Sequence, residues 1–300
     1  MNRLSVTFMG CEMKNPVISA SGTFGYGSSY SHYFDPSILG AVSSKGITLH
    51  AKDGNSGIRI YETPSGVLNS IGLQNPGIRE FTDSYLPLMK ELGCAVIVNL
   101  GGNTLEEYAQ AALILNDCDF DILELNISCP NVKEGGMAFG IREDDVFEAV
   151  KTVRDVYSGK LMVKMSPNAQ DIVSASLAAQ QAGADGLSMV NTFQAMAVDV
   201  SGRKAVFDNV YAGLSGPAIM PVALRMVHQT AKAVKIPVCG AGGIASAEDA
   251  LAFLMAGASA VQIGSSVFGN PNVYEQVISG LNDYCEQNNL DNISEIIGIV

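Results

Sequence analysis

The sequence predicts an α/β protein, a (β/α)8 TIM barrel with long loops inserted at the C-terminal face of its strands. Three observations predict it. Short apolar, β-branched runs recur along the chain. Segments with apolar residues at helical spacing lie between most of them. The polar residues gather where the runs end rather than where they begin. No linker or low-complexity tract interrupts the pattern, so residues 1–300 read as one domain.

Eight runs qualify as strands: Val17–Ser21, Ala41–Gly46, Ala95–Gly101, Ile122–Cys129, Leu161–Pro167, Gly186–Thr192, Val238–Ile244 and Ala260–Ser265. Most are nearly unbroken apolar stretches, as parallel strands buried on both faces require. Helices are expected over Thr104–Leu115, Asp144–Tyr157, Asp171–Ala182, Pro221–Val234 and Ala247–Ala256. Thr104 followed by Glu107 has the spacing of a capping box, and Ser246 is a natural N-cap. Pro221 suits a first helical position. The competing architecture is an open doubly wound sheet. It would call for a G-x-G-x-x-G turn opening a helix after the first strand, and that pattern is missing. Residues 47–91 and 193–216 are too long for simple turns, which makes them candidate lids or substrate walls.

Composition narrows the function. Apolar residues make up 47% of the chain and charged residues 16%, enough for a sizeable core. Asp plus Glu (30) exceeds Lys plus Arg (18), a net charge of −12 that argues against broad nucleic-acid binding. A local basic pocket for a small anion remains open. No run approaches the roughly 18 apolar residues of a membrane span, and the first residues hold no signal-peptide core. A cytoplasmic protein with reduced thiols is expected. None of the six cysteines has C-x-x-C spacing, and His32, His50 and His228 are scattered, so no metal site is expected.

The strand ends carry the chemistry. In chain order they supply Ser21, Lys45, Asn99, Asn126, Lys164, Asn191 with Thr192, Gly242 with Gly243, and Gly264 with Ser265. The C-terminal face of a barrel is where active sites are built. The glycines after the last two strands let backbone N–H groups approach an anion, and Leu214-Ser215-Gly216-Pro217 could close the cradle. A phosphate is the expected occupant. Lys45 and Lys164 end apolar strands, where an unpaired charge is costly. They suit a substrate carboxylate or the electron-rich edge of a ring cofactor such as a reduced flavin. Cys129 stands beyond the fourth strand on a loop stiffened by Pro130, a setting for a general base or nucleophile. In the loop Leu68–Asn75, Asn69 and Asn75 offer the mixed donors and acceptors that match a flat heterocycle.

As a set, these motifs resemble dihydroorotate dehydrogenases. The resemblance rests on Asn126-Ile127-Ser128-Cys129-Pro130-Asn131, the Asn69–Gln74 loop, Ser44-Lys45-Gly46, Val190-Asn191-Thr192 and the paired glycines near the chain's end. It covers nearly the full chain, in order. A cysteine at the base position resembles class 1, and residues 132–140 look like the 1B branch. The resemblance implies an FMN enzyme that oxidises dihydroorotate to orotate in pyrimidine biosynthesis. Cys129 would take the C5 proton while hydride leaves C6 for the flavin. FMN would contact Ser21, Lys45, Gly46, Asn99, Asn126, Lys164, Val190, Gly216, Gly242, Gly243, Gly264 and Ser265. Substrate would contact Lys45, Asn69, Ser70, Ile71, Gly72, Leu73, Asn126, Asn191 and Thr192. The branch implies a heterotetramer: a homodimer core, each copy bound to an iron–sulfur flavoprotein partner that carries FAD and a [2Fe–2S] cluster and reduces NAD. Two alternatives stay open: a fumarate-using 1A-like enzyme, and a related flavin barrel acting on another pyrimidine. One departure is visible, Met220 where the family is expected to carry lysine near the phosphate.

Overall fold

The computed structural model of the chain describes residues 2–27, 30–128 and 139–300. The expected base Cys129 and most of the 132–140 signature lie outside these residues. Eight parallel strands close into a barrel. They are β1 (Val17–Ser19), β2 (Ala41–Ser43), β3 (Ala95–Leu100), β4 (Ile122–Asn126), β5 (Leu161–Lys164), β6 (Gly186–Met189), β7 (Val238–Ala241) and β8 (Ala260–Ile263). Each pairs with its neighbours in sequence. The ring closes where β8 pairs with β1, Gln262 opposite Ile18.

All eight predicted strands are present, and each stops short of its predicted C-terminal end. The reason is chemical. Lys45, Asn191 and Gly242 follow β2, β6 and β7, where the chain has left the ladder to shape the barrel mouth. β1, β2 and β4 to β8 are buried along their whole length, on both faces, which explains their largely apolar pattern.

The five predicted helices form at Leu105–Leu115, Glu143–Arg154, Ile172–Gln181, Met220–Ala233 and Ala247–Met255. A sixth long helix, Val273–Gln287, follows β8. Ser246 closes a full capping box. Its hydroxyl accepts from the Asp249 N–H (3.2 Å), and its own N–H donates to the Asp249 carboxylate (3.0 Å). The box expected at Thr104 is displaced. Thr104 Oγ1 accepts from the Glu107 N–H (3.1 Å), but the Glu107 carboxylate caps the N–H of Asn103, one residue earlier (2.7 Å). Pro221 falls one place inside its predicted position, because Met220 opens the helix.

Further features were not predicted. The long connections pair with each other. Strands Ile60–Thr63 and Gly66–Asn69 from the first join Phe193–Met196 and Tyr211–Ser215 from the second in an antiparallel sheet, with Val67 opposite Ser215. An N-terminal hairpin, Val6–Phe8 with Cys11–Met13, meets the opposite end of the barrel. There Lys160 donates to the Gly10 carbonyl (2.9 Å), just before β5 begins. Phe8 is fully buried. Among the described residues no helix is long and apolar enough to cross a membrane.

Candidate active site

One cavity of about 400 Å³ opens at the C-terminal mouth of the barrel. Every described FMN or substrate contact that the resemblance implies lines it: Ser21, Lys45, Gly46, Asn69, Ser70, Ile71, Gly72, Leu73, Asn99, Asn126, Lys164, Val190, Asn191, Thr192, Gly216, Gly242, Gly243, Gly264 and Ser265. They come from all around the ring and from the covering sheet. Ile60, Val67, Gly213 and Ser215 of that sheet also line the cavity, so the two long connections do wall the site.

Amides dominate the side toward β3, β4 and β6. Asn126 Nδ2 donates to Asn99 Oδ1 (3.4 Å), and Asn126 Oδ1 accepts from Ser128 Oγ (2.8 Å) and Asn191 Nδ2 (3.4 Å). Asn191 Nδ2 also donates to Ser128 Oγ. The Tyr108 hydroxyl fixes the backbone beneath by donating to the Asn126 carbonyl (2.8 Å). A linked set of this kind holds its members in one arrangement, which a site needs before a ligand arrives.

The Asn69–Leu73 loop is strapped from outside. Ser70 is buried, and its Oγ accepts from Asn55 Nδ2 (2.9 Å) and Asn209 Nδ2 (3.4 Å). Arg59 bridges the Asn55 and Asp53 carbonyls to the Gln74 side chain. Asn75 does not line the cavity, contrary to its expected role. Its Oδ1 accepts from the N–H groups of Thr48 (3.1 Å) and Gly77 (2.8 Å), and its Nδ2 donates to Thr48 Oγ1 (2.8 Å), which locks the base of the loop.

Lys45 and Lys164 differ sharply. The Lys45 ammonium finds no hydrogen-bond or ionic partner among the described residues. Burial holds its pKa below the ordinary lysine value, and the nearby Arg59 cation lowers it further. A half-buried cation without a partner is prepared for an incoming anion. Lys164, only 6% exposed, donates to Gln262 Oε1 and lies 3.8 Å from Glu124 Oε1. Sequence reading missed Glu124 and gave Gln262 no role. The signal was available: Glu124 is a lone carboxylate in Ile-Leu-Glu-Leu, a strand otherwise apolar.

The mouth's last quarter is backbone. Gly216, Gly242 and Gly243 have positive φ (105°, 125° and 79°). A Cβ on Gly243 would stand 2.6 Å from Met220 Cβ and 2.8 Å from the Gly216 carbonyl oxygen. The N–H groups of Gly243, Ile244, Gly264 and Ser265 make no hydrogen bond within the described chain. Unpaired donors on residues that line one cavity suit an anion cradle. Met220 stands beside Gly243 but does not line the cavity. Among the described residues no cluster of three or more His, Cys, Asp or Glu could hold a metal ion.

Fold and site together define a barrel enzyme whose mouth combines glycine-borne backbone donors, an amide-rich wall and a lysine with no partner among the described residues. The chain belongs to the dihydroorotate dehydrogenase family, whose model matches residues 3–285. Three relatives, each named dihydroorotate dehydrogenase B (NAD(+)), catalytic subunit, show how far the similarity runs. The Petrotoga mobilis protein is 49% identical over 98% of both chains. The Brachyspira hyodysenteriae protein is 51% identical over 99% of both. The Bacteroides fragilis protein is 47% identical, again over 99% of both.

Proposed function

We propose that this chain binds FMN in the barrel mouth and oxidises dihydroorotate to orotate, as the catalytic subunit of an NAD-dependent dihydroorotate dehydrogenase in pyrimidine biosynthesis. The observation that carries the reading is the single cavity lined by both nominated sets, cofactor and substrate. The residues fit FMN. The free N–H groups of Gly243, Ile244, Gly264 and Ser265 suit its phosphate. Gly264 lines the cavity without a side chain, so its backbone is open to close approach. Gly46 keeps a gap open on the ring side, where a Cβ would stand 3.0 Å from Asn99 Oδ1. Asn99, Asn126 and Lys164 would meet the polar edge of the ring system. The chemistry that FMN supplies there is acceptance of the hydride from C6 of the substrate.

The chain's own residues do the rest. Lys45 pairs with the substrate carboxylate, the group that separates orotate from uracil. Asn69, Asn126 and Asn191 read the ring's carbonyl and N–H groups, with Thr192 at the rim. Ile60, Val67 and Leu73 exclude water from one side. Cys129 removes the C5 proton onto its thiolate sulfur. The relatives' shared designation as a catalytic subunit supports a separate partner. We assign to that partner the FAD and [2Fe–2S] cluster, in a cytoplasmic heterotetramer built on a homodimer of this chain.

The purified chain is expected to be yellow, to bleach with dihydroorotate, and to be inhibited competitively by orotate but not by uracil. A flavin that bleaches only with another dihydropyrimidine would move the substrate assignment. A colourless chain that takes up no FMN would overturn the reading.

A further inference from the structure

Glu124 lies at the centre of the barrel, 0% exposed, and does not line the cavity. Its carboxylate gathers side chains from five other strands. Oε2 accepts from Asn99 Nδ2 of β3 (2.6 Å) and Ser43 Oγ of β2 (3.4 Å). Oε1 accepts from Ser188 Oγ of β6 (2.6 Å) and Gln262 Nε2 of β8 (2.9 Å), and stands 3.8 Å from the Lys164 ammonium of β5. Gln262 is held at both ends. Its N–H reaches Glu124 while its carbonyl oxygen accepts from Lys164. Asn99, Lys164 and Gln262 all face the cavity.

Burial alone would raise the carboxyl's pKa, but the Lys164 charge and the hydrogen bonds from Ser188, Gln262 and Asn99 outweigh it and hold the group ionised. A core that needed only volume would use an apolar residue, since a buried ion pair rarely improves stability over one. Here one charge beneath the floor is spent on restraining another within it.

We propose that Glu124 is a positioning residue for the redox site: it aims Lys164, Gln262 and Asn99 at the ring edge and cancels part of the Lys164 charge, so that the floor presents a damped positive potential to the flavin. The inference rests on FMN occupying the mouth. Reduced flavin carries added negative charge, so the two charges beneath it act on its midpoint potential with opposite signs.

The test is a dye-equilibration titration of FMN on the purified full chain, with the FMN dissociation constant measured alongside. Glu124→Gln leaves the Lys164 cation unopposed and is expected to shift the midpoint potential upward. Lys164→Gln leaves the carboxylate unopposed and is expected to shift it downward. The double variant should return close to wild type. A structural role alone would lower folding yield or FMN content without this pattern of signs. Ser188→Ala, outside the cavity, carries the test if Glu124→Gln does not fold. Losing a donor to Oε1 strengthens the carboxylate's field and should lower the potential, by less than Lys164→Gln does. A Glu124→Gln potential that stays put or falls would overturn the assignment, as would a Ser188→Ala potential that stays put or rises. Either result in a wild type that binds FMN would leave the proposed function standing. A wild type that binds none would remove both.

Discussion

The two lysines show how much the surroundings of a residue decide its use. Lys164 is already paired from below with Glu124, whereas Lys45 has no partner among the described residues. The Lys45 pKa is lowered by burial and then by Arg59, and only the protonated form attracts a carboxylate. Orotate binding should therefore be full below the Lys45 pKa and decline as pH rises through it, starting below the usual lysine range of about 10.4. Arg59→Gln removes the second cause and should move this alkaline limb to higher pH. Orotate dissociation constants measured across pH 7–11 check it, and a limb that stays or moves lower would remove Lys45 from the carboxylate. Cys129→Ser is expected to cut turnover by about 10²–10⁴-fold at neutral pH, the range for losing a general base. FMN content should be unchanged. Stopped-flow bleaching at the wild-type rate would take the base role from Cys129. Lysines and amides at strand ends were legible because their residue types conflict with the apolar runs they terminate. Asn75 was misread for the same reason: a buried amide looks alike in sequence whether it meets a ligand or a neighbouring turn.

At the scale of elements, the glycine turn after β7 admits no side chain without strain. Gly243 has φ +79°, and any Cβ there meets Met220 and the Gly216 carbonyl at under 3 Å. Gly243→Ala should destabilise the fold by about 1–3 kcal/mol and weaken FMN binding, because relief requires the cradle to open. Urea denaturation and flavin titration measure the two effects, and wild-type values for both would show that the turn is not under this constraint. Glycine pairs of this kind, like the eight strands, could be read directly, since local pattern alone specifies them. The covering sheet could not. Ile60–Thr63 is largely exposed and has no alternation, and its partners lie far along the chain, Val67 against Ser215 for example. Pairing across such a separation leaves no local period to detect. Glu124 was hidden differently. Its strand reads correctly as buried, but its value depends on five side chains that only barrel closure brings together.

Across the whole molecule, charge and space set what one chain can do. With a net charge of −12, the surface does not attract an anionic pyrimidine or a phosphate, so the positive sites must be local and within the mouth. The mouth itself is small. A cavity of about 400 Å³ stands near the lower end of the 300–1,000 Å³ spanned by ligand pockets, and on the proposed reading flavin and pyrimidine share its lining. On that reading no space is left beside them for a nicotinamide dinucleotide, and electrons bound for NAD are expected to leave the barrel for a second protein. The isolated chain with dihydroorotate is therefore expected to reduce a small artificial dye while leaving NAD untouched. Adding the proposed iron–sulfur flavoprotein partner should start NADH formation, followed at 340 nm. NADH formed by the chain alone at a rate matching dye reduction would mean that the mouth admits the nucleotide, and the division of labour between two subunits would have to be abandoned.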